Sequence, residues 1–187
     1  MILPIYAYGH PVLRKISNNI DKDYPKLQEL IDNMFETMYF SSGVGLAAPQ
    51  VGLNINLVVV DTNPYSENYS EANNIKQAFI NPEIIERTGD DWEFNEGCLS
   101  LPEIREEVVR KKEIRITYYD ENFVFHDKTF NSVIARVLQH EYDHLKGILF
   151  VDHLSSLKKT LLKRKLNDIS KGKIKTDYKM IIPKKKR

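Results

Sequence analysis

The segment His140-Glu141-Tyr142-Asp143-His144 sets two histidines four residues apart around a glutamate. On a helix, residues four apart leave one face about one turn apart, so both imidazoles can reach a single metal ion. Glu141 lies beside that face, placed to handle the proton of a metal-activated water without ligating. Val133 and Val137 recur on the same face and mark it as the inward one, where an unpartnered imidazole is costly. Short patterns of this kind also arise by accident on polar helices, so the reading needs a third ligand.

Two familiar classes of zinc protease fail on missing residues. In one, a third histidine follows at H-E-x-x-H-x-x-G-x-x-H; Gly147 fits, but the ligand position is Phe150. In the other a downstream glutamate ligates, and no glutamate follows Glu141. The third ligand must come from upstream. The lone cysteine, Cys98 in Glu96-Gly97-Cys98-Leu99-Ser100, is either a small buried hydrophobe or that ligand. Two histidines lacking a partner favour the ligand, and Cys/His/His leaves a fourth position open, as catalytic sites require. A third segment, Gly43-Val44-Gly45-Leu46-Ala47-Ala48-Pro49-Gln50, reads as a turn or as a substrate contact. Its small residues admit a close backbone, and Gln50 can donate to a developing oxyanion.

These residues must be held by a small set of elements. Apolar spacing predicts helices over 24–40, 132–145 and 154–170, the last ending near Gly172 and the first with Pro25 in its opening turn. β-branched and aromatic runs predict strands at 55–61, 78–86, 113–119 and 122–129, with a hairpin turn at Asp120-Glu121-Asn122. Residues 62–77 are polar and read as a surface loop inserted between strands. The fold class is α+β: one domain over 1–172, mixed or antiparallel sheets around the histidine-bearing helix, and helices towards both termini. Residues 173–187 read as a basic tail.

The 187 residues, 42% hydrophobic and 28% charged, describe one globular domain with an adequate core. The longest aliphatic run, Leu57 to Val60, is far short of the ~20 residues a bilayer needs. No secretory signal is read at the N-terminus, and a single cysteine fits a reducing cytosol. Neither a membrane nor DNA is expected as a partner. The net charge of +1 hides an asymmetry. Residues 158–187 carry 13 Lys+Arg against two Asp, while residues 1–157 carry 14 against 24 acids. Such a split points to a polyanionic partner or to a solvated helix end.

The three segments, in this order and with Gln139 before the first histidine, resemble peptide deformylase: G-x-G-x-A-A-x-Q, E-G-C-x-S and Q-H-E-x-D-H. The likeness runs from the opening L-P-I-x-x-x-G-x-P-x-L-R of residues 3–14 through the last helix, to about residue 170. It implies a cytoplasmic hydrolase that removes the N-formyl group from the initiator methionine of new polypeptides and releases formate. It further implies that Cys98, His140 and His144 hold a divalent metal, usually Fe(II), with zinc, nickel or cobalt able to replace it. Glu141 is then the general acid and base, and Gln50 and the Leu99 N–H stabilise the oxyanion. Gly43, Val44, Gly45, Gly97 and Arg105 border the peptide, and Val44, Phe94, Val133 and Val137 line an apolar methionine pocket. In this family a C-terminal extension can touch the ribosome, and residues 158–187 have the charge to meet ribosomal RNA. A peptidase, or a silent RNA-binding protein, is the rival reading. The first lacks its ligand; the second has no use for Cys98, Glu141 and Gln50 together.

Overall fold

A computed structural model describes residues 1–72 and 75–184. In chain order the elements are β1 (Ile5–Tyr6), α1 (Leu27–Phe40), β2 (Gly45–Ala47), β3 (Leu57–Asp61), β4 (Lys76–Cys98), β5 (Leu101–Tyr119), β6 (Phe125–Asn131), α2 (Ser132–Leu145), α3 (Ser156–Ser170) and β7 (Met180–Ile181). Strands β2 to β6 form one antiparallel sheet in sequential order, and β1 pairs with β7 in parallel. The α+β architecture expected from the sequence is the one found.

The boundaries differ where local signals were weak. Helix α1 starts at Leu27 because Lys26 takes a left-handed conformation, φ 55°, so Pro25 lies outside the first turn. Asp120 closes the expected hairpin turn by accepting the N–H groups of Asn122 and Val124 at 2.9 and 3.0 Å. Strand β6 therefore begins only at Phe125. The largest difference is β4, which runs to Cys98 rather than ending at Glu86. Residues 87–95 are mostly solvent-facing, with Trp92 and Phe94 as their apolar side chains, and cross-strand pairing with β5 keeps them extended. Register shifts between Ile80 and Glu83, and between Thr88 and Asp91, bend this long ribbon. Cys98 thus sits on a strand end and pairs with Leu101, leaving Leu99 and Ser100 as the tip of a tight turn.

Helix α2 is buried on every side, not on one face: all residues from Ser132 to Leu145 are buried. It packs against β2, β3, β5 and β6, with Ile134, Val137, Leu138 and Leu145 in an apolar cluster with Phe79, Ile114 and Ile116. Its polar residues must then be paired internally, since each unsatisfied buried group costs on the order of 1–3 kcal/mol. Arg136 donates to Glu96 and to the Val108 carbonyl, and Gln139 donates to the Lys111 carbonyl. Asp143 accepts from Arg110 at 2.7 Å.

The expected insertion keeps its place between strands but is not a bare surface loop. Short 3₁₀ turns form at Asn63–Tyr65 and Ser70–Ala72; Thr62 and Ala72 are fully buried and joined by a 2.8 Å hydrogen bond. Residues 76–77 belong to β4, and Asn73 and Asn74 lie outside the described residues. The segment after Gly172 also folds back. Ile174, Met180 and Ile182 pack against a cluster that includes Ala7, Leu101 and Ile104, and β7 pairs with β1. Lys185, Lys186 and Arg187 of the basic terminus are outside the described residues.

Candidate active site

Three elements meet at one point. Helix α2 brings His140 and His144, the end of β4 brings Cys98, and the turn after β2 brings Gln50. One ligating atom from each of Cys98, His140 and His144 lies within 4.8 Å of the others, and the Cys98 Sγ and His144 Nε2 are 3.3 Å apart. A soft thiol with two imidazoles is a donor set that suits several divalent transition metals. Two buried polar atoms beside it, Glu141 Oε2 and His144 Nδ1, have no hydrogen-bond partner among the described residues. The residues fit a metal.

The surroundings orient the donors. His140 Nδ1 lies 2.9 Å from the Glu96 carboxylate, which fixes the ring and leaves Nε2 for the cluster. Arg110 and Arg136 donate to the same carboxylate at 2.7 and 2.8 Å. Burial by itself would raise the Glu96 pKa, but His140 and Arg110 outweigh it and hold the group ionised. Arg110 continues to Asp143, which also lies 2.7 Å from His153 Nε2. Burial keeps the His144 pKa low and its imidazole neutral, the state a ligand needs.

Glu141 is placed by a glycine. A Cβ added at Gly45 would sit 2.5 Å from Glu141 Oε1, so only a residue without a side chain lets α2 and β2 close around the carboxylate. Burial pushes the Glu141 carboxyl up to about 7. Gln50 is oriented just as firmly. Its Oε1 accepts the Ala47 N–H at 2.9 Å, which turns its amide NH₂ towards Cys98 Sγ at 3.5 Å and Ser100 Oγ at 3.4 Å.

These groups line a cleft of about 530 Å³. Gly43, Val44, Gly45, Phe94, Gly97, Leu99, Arg105 and Val137 border it as well, as the sequence led us to expect. Val133 does not. It lies seven residues before His140, roughly 10 Å along the helix axis, and is wholly buried. Arg136, one turn before His140, lines it instead: the side chain is buried, its guanidinium 5.1 Å from the Trp92 ring and 5.6 Å from Phe94. Tyr65 packs on Phe94 at 6.1 Å between ring centroids and adds to the same wall. Arg105 donates to Asn95 Oδ1 at 2.7 Å and lies along the rim. Arg136, Tyr65 and the C-terminal Thr176, Asp177 and Tyr178 were not foreseen. Arg136 had a usable signal, its position one turn before His140; the others are brought in only by tertiary folding.

A half-buried thiol and two buried imidazoles beside a buried carboxyl, in an open cleft, fit a metal-dependent hydrolase. Comparison narrows the class. Residues 2–160 match the sequence profile of the polypeptide deformylase family. The chain is 56% identical to the peptide deformylase of Christiangramia forsetii, over 100% of this chain and 99% of the relative. It is 51% identical to that of Flavobacterium johnsoniae, over 96% and 95%. Among solved structures, a peptide deformylase from Legionella pneumophila superposes with a TM-score of 0.80 at 37% identity, covering 92% of this chain and 98% of the other. One from Plasmodium falciparum also gives 0.80, at 35% identity over 90% and 95%. The chain belongs to the polypeptide deformylase family: it is a hydrolase that removes the N-formyl group from nascent polypeptides.

Proposed function

We propose that Cys98, His140 and His144 hold a divalent metal, Fe(II) in its native form, and that Glu141 is the general acid and base of deformylation. The observation that carries this reading is the meeting of the three donors within 4.8 Å beside the buried Glu141 carboxyl. When bound, the metal supplies Lewis-acid polarisation of water and of the formyl carbonyl. A carboxyl near pKa 7 is well matched to take a proton from the attacking water and return it to the leaving amine. The Gln50 amide and the Leu99 N–H donate to the oxygen that gains charge. Strand β2 is at the end of the sheet order, so the backbone of Gly45 can pair with an extended peptide as an added strand. Val44, Phe94, Val137 and Tyr65 offer the formylmethionine side chain an apolar wall.

The test is formate release from a formyl-methionyl tripeptide by metal-loaded enzyme. Glu141→Gln should keep the metal and lose about 10²- to 10⁴-fold in kcat, because an amide cannot shuttle a proton. Unchanged turnover in that variant would refute the role. An iron form should lose activity in air faster than a nickel form, through oxidation at the metal and at Cys98; equal half-lives would argue against iron. We further propose a cytoplasmic site of action, at the ribosome, with the exposed Lys163, Arg164 and Lys165 of α3 turned to ribosomal RNA.

A further inference from the structure

The turn that carries Cys98 and Leu99 is held from outside by parts of the chain remote in sequence. Its tip has two carbonyls, and each accepts one hydrogen bond from a terminal segment. The Tyr8 N–H donates to the Ser100 carbonyl at 2.9 Å. The Tyr178 hydroxyl donates to the Leu99 carbonyl at 2.8 Å, across 79 positions of sequence.

Tyr178 is itself anchored on both sides. The Thr176 hydroxyl donates to the Tyr178 carbonyl at 2.6 Å and closes a small turn before it. After it, the Ile5 N–H donates to the Lys179 carbonyl and the Ala7 N–H to the Ile181 carbonyl, both at 2.9 Å. Ile174, Met180 and Ile182 are packed into the same apolar cluster that Cys98 touches. Thr176, Asp177 and Tyr178 line the cleft together with Cys98 and Leu99.

We propose that residues 174–182 are a working wall of the active site, and that Tyr178 is a positioning residue whose hydroxyl holds the Leu99 backbone where its N–H serves the oxyanion. The proposal rests on the reading of Leu99 as an oxyanion donor. A two-residue turn tip has no ladder of its own beyond the Cys98–Leu101 pair. Tyr178 holds the Leu99–Ser100 peptide plane, which shares the Leu99 Cα with the Cys98–Leu99 plane that carries the N–H, so fixing the one restricts the other. A donor displaced by a fraction of an ångström loses most of its value, since such stabilisation depends on distance to the charge as it forms.

The experiment uses the full chain, loaded with nickel, carrying Tyr178→Phe, which keeps the ring and removes only the hydroxyl. We expect kcat per metal-loaded site on a formyl-methionyl tripeptide to fall about 10-fold, with KM changed by less than about 2-fold and metal content unchanged. A merely structural hydroxyl would lower the melting temperature or metal content and leave kcat per loaded site at the wild-type value; that result would overturn the proposal. Gln50→Ala serves as the separate check on the oxyanion site. If it is slow while Tyr178→Phe is not, the oxyanion reading stands and the positioning role falls. If the wild-type enzyme releases no formate, the underlying reading fails and the proposal fails with it.

Discussion

At the scale of single residues, the site is made as much by what is missing as by what is present. Gly45 contributes no side chain, and that void is filled by the Glu141 carboxylate. Gly45→Ala should therefore push Glu141 aside, costing about 100-fold in kcat or more and about 1–3 kcal/mol in stability through overpacking. Formate release and thermal unfolding of the one variant check both. A variant with wild-type turnover would show that Glu141 does not need this contact. Buried charge follows a similar logic. Glu96, Arg110, Arg136 and Asp143 are each buried, and each is tolerated because the others neutralise it.

At the scale of elements, the segment joining α2 to α3 matters beyond its length. Its 3₁₀ turn, Phe150–His153, presents Asp152 to Arg14 at 2.5 Å and to the Leu149 N–H at 2.8 Å. Burial alone would raise the Asp152 pKa, but Arg14 and the Leu149 N–H outweigh it and hold it below its ordinary value. A carboxyl depressed in the folded state adds stability that is fully present above its unfolded pKa of about 3.9 and is lost as pH falls through the folded value. Asp152→Asn should accordingly cost about 1 kcal/mol at pH 7, since the pair is partly solvated. The deficit should shrink towards zero below about pH 4. Urea unfolding of both proteins across that range is the measurement; a deficit independent of pH would place the effect elsewhere.

For the whole molecule, the basic charge divides into two kinds. Lys158 is paired with Glu106 at 3.1 Å and Lys159 donates to the Asp152 carbonyl at 2.7 Å, so these two support the fold. Lys163, Arg164 and Lys165 stand exposed on α3, Arg164 opposite and the two lysines flanking its buried Leu162, Leu166 and Ile169. Because residues 174–182 pack beside the cleft, cutting the chain after Gly172 would disturb catalysis together with any ribosome contact. Reversing Lys163, Arg164 and Lys165 to glutamate separates the two. Co-sedimentation with ribosomes should be salt-sensitive in the wild type and lost in the triple variant, while turnover of a free formyl-methionyl peptide stays within about 2-fold. Wild-type protein that fails to sediment at low salt would end the ribosome proposal.

The chemistry of this protein was legible in one dimension because metal ligation and proton transfer demand particular side chains. His140 and His144 are joined by helix geometry, and Gln50, Cys98 and Glu141 have no comparably economical structural use together. The periodicity of α1, α2 and α3 was legible for the same reason: burial of one stripe repeats every three or four residues. The far half of β4 was not, because most of its residues face solvent and it is held by pairing with β5 and by contacts of Trp92 and Phe94 with Tyr65, Tyr69 and Arg136, all remote in sequence. Nor was the all-round burial of α2, since Arg136, Gln139 and Asp143 look like an exposed face until their partners arrive from β4 and β5. Tyr65 and Tyr178 reach the cleft across dozens of residues, through packing and a single hydrogen bond, and no local pattern encodes such a contact. Residue types thus determined which reaction the chain can perform, while tertiary folding decided which walls enclose it, because proximity between distant segments exists only once the core has formed.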